Sequence, residues 1–133
     1  MRQFFLVLCA ALFFSAPARA DEAAIRSVIS SQIEAFQADD FARAFTFASP
    51  TIKQIFKDPD RFGVMVRQGY PMVWRPAEMN FLSLDMIDGL RWQYVMIRDQ
   101  SGGLHILEYQ MVPLENEWKI NAVRMRRAQE GLT

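Results

Sequence analysis

Apolar residues in this chain recur at two spacings, and the change from one to the other divides it. Ile25, Val28, Ile29, Ile33 and Phe36 fall at helical intervals with Arg26, Ser30 and Glu34 between them, which predicts an amphipathic helix with one stripe on a core. Asp39-Asp40 interrupts the pattern, and either carboxylate suits the N-cap of a second helix carrying Phe41, Ala44, Phe45 and Ala48. Ser49-Pro50 and Asp58-Pro59 then each set a capping side chain before proline at the first helical position, where the missing N–H costs nothing. The first pair opens a short helix, and the second opens one bearing Phe62, Met65 and Val66. Gly69 is a helix stop, and Tyr70-Pro71 argues against resumption, so Pro71 to Pro76 reads as a stiff connector carrying Met72, Val73 and Trp74. Four helices are predicted, two of them short.

Beyond Pro76 the period falls to two, the spacing of strands. Asp88-Gly89 is a preferred pair for a two-residue hairpin turn and sets Ile87 opposite Leu90 and Asp85 opposite Trp92. Ser101-Gly102, read as a second such turn, sets Tyr94 opposite Tyr109 and Arg98 opposite His105. A third turn at Glu115-Asn116 sets Tyr109 opposite Ala122 and Met111 opposite Ile120. These registers give a four-stranded meander. One face, aromatic and suited to the helices, carries Asp85, Trp92, Tyr94, Leu107, Tyr109, Met111, Trp118 and Ile120. The other, with Gln93, Val95, Glu108, Gln110 and Val123, is too apolar for solvent alone and too polar for a core. A one-residue slip would exchange the faces of a strand.

The first twenty residues follow neither spacing. Met1-Arg2 gives a positive start, Phe4 to Phe14 is continuously apolar, Pro17 breaks the run, and Ala18-Arg19-Ala20 puts small residues where a signal peptidase reads. Residues 1–20 are thus expected to be a secretory signal peptide, cleaved between Ala20 and Asp21. Its apolar core is too short for a membrane span, which needs roughly 20 residues. Residues 21–133 then form one domain of 113 residues, exported to the periplasm or secreted, with no membrane anchor after cleavage.

Composition narrows the chemistry. The expected mature chain carries 13 basic and 15 acidic residues, a formal charge of −2, which gives no electrostatic case for nucleic acid. The one cysteine, Cys9, lies inside the signal segment; Leu8 before it does not fit a lipid attachment site. With no cysteine left, the mature domain is held by packing alone. His105 is the sole histidine, so neither a histidine-based metal site nor a serine–histidine triad can be assembled. No phosphate loop, G-x-S-x-G elbow, H-E-x-x-H or C-x-x-C string is present, and neither a cofactor nor a metal is expected.

A few residues carry candidate chemistry beside a structural reading. Asp85 on the aromatic face would titrate late if buried and serve as a general base; at a strand end it is a solvated carboxylate. Tyr94 and Tyr109, as expected neighbours, offer hydroxyl donors to a carbonyl or simply stack in the core. His105 with Arg98 and Arg124 would bind an anion, or face solvent at a hairpin end. Tyr70, Trp74 and Arg75 would form a lid, or Trp74 would plug one end of the fold.

Three strings bring a resemblance: Ala35-Phe36-Gln37-Ala38-Asp39-Asp40-Phe41-Ala42-Arg43-Ala44-Phe45, then Ala48-Ser49-Pro50-Thr51-Ile52, then Gly69-Tyr70-Pro71-Met72-Val73-Trp74-Arg75-Pro76. They resemble an exported bacterial family catalogued as a domain of unknown function. Helices followed by a long meander ending in Trp118-Lys119-Ile120-Asn121-Ala122-Val123 look like the nuclear-transport-factor-2-like superfamily, the SnoaL and ketosteroid-isomerase-like group with a cystatin-like fold. The resemblance implies an α+β fold with N-terminal helices packed on a strongly curved four-stranded antiparallel sheet, forming a cone. No activity comes with it. The expectation is a non-catalytic binding or accessory domain holding a small apolar ligand in the cone, with Tyr70, Trp74, Asp85, Tyr94, His105 and Tyr109 as candidate ligand contacts. The alternatives are a small hydrolase or isomerase using Asp85 with Tyr94 or Tyr109, and a homodimeric module pairing through the mixed sheet face.

Overall fold

The structure, a computed structural model, describes residues 17–126. The apolar leader with Cys9 lies outside the described residues, and the Ala20–Asp21 junction falls inside the first helix. Five helices precede four strands: α1 (Pro17–Gln37), α2 (Phe41–Thr46), α3 (Pro50–Phe56), α4 (Pro59–Gly69), α5 (Pro71–Trp74), then β1 (Glu78–Ile87), β2 (Leu90–Arg98), β3 (Leu104–Leu114) and β4 (Glu117–Arg126). The expected caps form. Asp40 Oδ1 accepts from the Arg43 N–H at 3.1 Å, Ser49 Oγ from Ile52 at 3.3 Å and Asp58 Oδ1 from Arg61 at 2.8 Å. The connector expected after Gly69 is instead one further helical turn, α5, because Pro71 fits a first helical position as well as Pro50 and Pro59 do.

The strands form one antiparallel sheet in the order β1-β2-β3-β4, neither closed nor strongly curled. An α+β fold with helices followed by a four-stranded antiparallel sheet is therefore present, without the strong curvature expected of that sheet. The first hairpin has the expected register, Asp85 opposite Trp92 and Ile87 opposite Leu90, with Asp88 and Gly89 at φ of 53° and 77°. The second differs by one residue. Its loop is a three-residue turn in which Gly102 donates to Asp99 O at 3.0 Å and Asp99 to Gly103 O at 2.8 Å, so Gln93 lies opposite Tyr109, and Tyr94 opposite Glu108. His105 accordingly faces Ile97, not Arg98.

That slip sorts the faces. Gln93, Val95 and Ile97 join Leu107, Tyr109, Met111 and Ile120 under the helices, all buried, while Trp92, Tyr94 and Met96 turn outward with Glu108 and Gln110. The mixed face expected from Gln93, Val95 and Val123 does not form, since these three lie on the core side. Met111 does face Ile120, but a bulge at Asn121 moves Tyr109 from Ala122 to Val123.

The core joins Ile25, Ile29, Ile33 and Phe36 of α1 to this inner sheet face, with Phe45 and Phe62 between them. Around Ile120 the edge of β4 is covered by the chain entering α3. Ser49 donates its backbone N–H to Ile120 O at 2.8 Å, and Ile120 donates to Phe47 O at 2.9 Å. Ser49 Oγ also donates to Asn121 Oδ1 at 2.8 Å, so the bulged asparagine anchors the start of α3 to the sheet.

Candidate functional site

Between the helices and β3–β4 lies a cavity of about 280 Å³. Phe36 and Gln32 of α1 form its back, and Ile120, Val123 and Tyr109 its sheet side. Phe62, Met65 and Val66 of α4 close another wall, with Tyr70 and Val73 beside them. The remaining wall is α3. Its Ile52, Ile55 and Phe56 follow the i, i+3, i+4 spacing of one helical stripe, yet no residue of α3 is buried, and Ile55 is 62% exposed. Such a stripe ordinarily faces a core; here it faces the cavity, and the cavity meets solvent at Ile55.

No Asp, Glu, Lys, Arg or His lines this space. Its polar groups are Gln32, Tyr70 and Tyr109. Burial, reinforced by the neighbouring Tyr70, pushes the Tyr109 phenol far above the usual range, so it stays protonated and remains a hydrogen-bond donor.

Of the six residues singled out from the sequence, the structure brings Tyr70 and Tyr109 together in the cavity and places the other four elsewhere. Asp85 is exposed on the outer sheet face, near the turn. Tyr94 shares that face; burial first, then the charges of Asp85 and Glu108, raise its phenol. Arg126 lies over its ring at 5.1 Å, as Arg124 lies over Trp92 at 4.0 Å, and Glu108 pairs with both arginines at 3.6 and 3.8 Å. Asp85 and Tyr109 are thus on opposite faces, and no acid–base pair forms between them.

His105 braces its own hairpin loop. Its Nε2 meets Asp99 Oδ2 at 2.7 Å, while Asp99 Oδ1 accepts from the Ser101 and Gly103 N–H groups, each at 2.9 Å. Arg98 pairs with Glu78 instead, and the expected cationic cluster is absent among the described residues. Trp74 neither plugs the cavity nor covers it. Its Nε1 donates to Asp39 Oδ1 at 2.9 Å, and Arg75 reaches both oxygens of the same carboxylate at 2.9 and 3.1 Å. Arg75 Nη1 also donates to Phe36 O at 2.9 Å, a second bond to a carbonyl at the end of α1 that already accepts from the Asp39 N–H at 3.0 Å. The pair clamps α5 to α1, and that clamp holds Tyr70 and Val73 in the cavity wall.

Residues missed in the sequence are the apolar ones, above all Ile52, Ile55 and Phe56. Their stripe was visible; that Ile52 and Phe56 pack only in part on the core and border a cavity, with Ile55 left exposed, was not. Among the described residues, no group of three metal-ligating side chains occurs.

The strings quoted above lie in these elements: the α1–α2 junction with Asp39, the anchored start of α3, and the clamp from Tyr70 to Arg75. The pattern of the family described as Domain of unknown function (DUF4864) matches residues 18–132. The chain belongs to this family. No curated protein matches the chain. In this DUF4864 domain the Tyr-Pro…Trp-Arg-Pro string is read as architecture: proline starts the turn, tryptophan and arginine hold it, and tyrosine faces the cavity.

Proposed function

We propose that this DUF4864 protein is an exported, non-catalytic binding domain that holds a small apolar ligand in the cavity between its helices and β3–β4. The observation that carries the reading is the cavity itself: about 280 Å³, apolar on nearly every wall, and reaching solvent beside an exposed isoleucine. Ligand pockets run from roughly 300 to 1,000 Å³, so the occupant is at the small end. A side chain as apolar as Ile55, left in water at a pocket mouth, gains most when a ligand covers it. Export rests on the leader and the Ala18-Arg19-Ala20 site.

Asp85 does lie beside Tyr94 on the outer sheet face, but that carboxylate is exposed and outside the cavity, so the cavity supports binding ahead of a reaction built on Asp85. The order of elements supports placing the family in the nuclear-transport-factor-2-like superfamily, with a sheet less curved than the cone of that group. Pairing of two copies keeps one observation in its favour. The outer sheet face carries half-buried Met96, Ile106 and Val112, with Glu78 and Asp85 on its β1 side and Arg124 and Arg126 on its β4 side. Under a two-fold axis along the strands, the acids of each copy meet the arginines of the other.

Binding is tested with the neutral fluorophore phenylnaphthylamine. Its emission rises on mixing with the wild-type protein, and Ile52→Trp, which fills the cavity from α3, removes the rise while the circular dichroism is unchanged. An equal rise in both proteins would place the fluorophore elsewhere and count against the reading.

A further inference from the structure

The walls of the cavity differ in what they offer a ligand. Gln32 and Tyr109 border it but are buried, Gln32 with its Nε2 bonded to Ala44 O and Tyr109 with its hydroxyl sealed from water. The side chains left half-buried or exposed include Ile52, Ile55 and Phe56 of α3, Met65 of α4, Tyr70, and Val123 of β4. Among the described residues this open wall carries one polar side-chain group, the Tyr70 hydroxyl, and its hydrogen goes to Val123 O at 3.2 Å. A polar group of a ligand drawn inside would therefore shed its water against aliphatic and aromatic walls. That is costly for a hydroxyl or carbonyl, and far more so for a charge.

The cavity is also short and open. Its 280 Å³ falls below the roughly 300 to 1,000 Å³ of ordinary ligand pockets, and it reaches solvent at Ile55. A molecule longer than the space leaves it on that side. There the surface of α3 turns polar: Thr51, one turn before Ile55, and Gln54 beside it are both exposed.

We infer, building on the binding reading above, that the ligand is a single-chain amphiphile. Its alkyl chain lies in the cavity, and its polar end stays in water beside Ile55, Thr51 and Gln54. The apolar interior suits the chain, the small volume admits one, and the open mouth spares the head group the loss of its water. Chain length then decides affinity, and the charge of the head has little bearing on it.

The probes are pentanol, octanol, octanoate and octylammonium, each titrated against phenylnaphthylamine bound to wild-type protein, Ile55→Lys and Ile55→Glu. Each methylene added between pentanol and octanol lowers the displacing concentration about fourfold, the worth of one buried methylene. Octanoate and octylammonium fall within about threefold of octanol, because their charges remain hydrated. Ile55→Lys favours octanoate over octylammonium by about fivefold and Ile55→Glu reverses the preference, as expected of exposed charges in contact. Charged heads at least about tenfold weaker than octanol would put the head inside, and a preference that neither variant moves would put it away from the mouth. Either result, or failure of every alkyl compound to displace the fluorophore, would overturn the assignment and leave the binding reading standing. Failure of wild-type protein to bind the fluorophore at all would overturn both. Ile55 is exposed, so replacing it leaves the core and the fold in place.

Discussion

Asp39 sits at φ of 54°, a backbone region that few residues other than glycine adopt, and its carboxylate explains why it is there. The turn after α1 aims it at Trp74 and Arg75, and three hydrogen bonds hold it. The Trp74 donor first, then Arg75, keeps its pKa below the ordinary carboxylate value; His105 and then the Gly103 N–H do the same for Asp99. Both acids are therefore more readily ionised folded than unfolded. Their contribution is complete above the unfolded pKa of about 3.8 and is lost as the pH falls through the lower folded values. The denaturation midpoint should accordingly drop below about pH 4. In Asp39→Asn it should start lower at neutral pH and fall less steeply in acid, as urea titrations across that range would show. A variant with the wild-type acid slope would mean that the clamp contributes nothing. Exposed pairs are usually worth little; here the same carboxylate also accepts from Trp74, and Arg75 Nη1 ties the pair to Phe36 O at the end of α1.

At the scale of elements, what was legible in the sequence was local chemistry. Capping side chains before proline marked α3 and α4, and Asp88-Gly89 marked a two-residue turn, because each device acts within a few residues of itself. Gly89→Val should therefore destabilise by more than about 1 kcal/mol through its positive φ alone, since a side chain there meets open space. An unchanged urea midpoint would speak against the turn. What was not legible was register. Ser101-Gly102 looks like a two-residue turn, but Asp99 accepts two N–H groups and makes a three-residue loop in which Gly102 takes φ of 89°. One residue of slip carried Tyr94 outward and left Tyr109 inside. The bulge at Asn121 was hidden for a related reason: the side chain that holds its asparagine is Ser49, 72 positions away in sequence, which no local pattern reports. The cavity depends on both shifts, so the sequence pointed to Tyr70 and Tyr109 without showing that they meet.

For the molecule as a whole, helices cover one sheet face and leave the other to a layer of arginines over Trp92 and Tyr94. No described helix is long and apolar enough to cross a membrane. If the outer face pairs with a second copy, light scattering at tens of micromolar should return twice the monomer mass, and Arg124→Glu should reduce it to one; a monomeric wild type would dismiss the pairing. The central claim, a cavity that carries a small molecule, is tested most directly by native mass spectrometry of protein extracted from its own host under mild conditions. The account predicts a polypeptide beginning at Asp21 together with an adduct of one small molecule, which Ile52→Trp lacks. A bare wild-type polypeptide, or an identical adduct on Ile52→Trp, would contradict it.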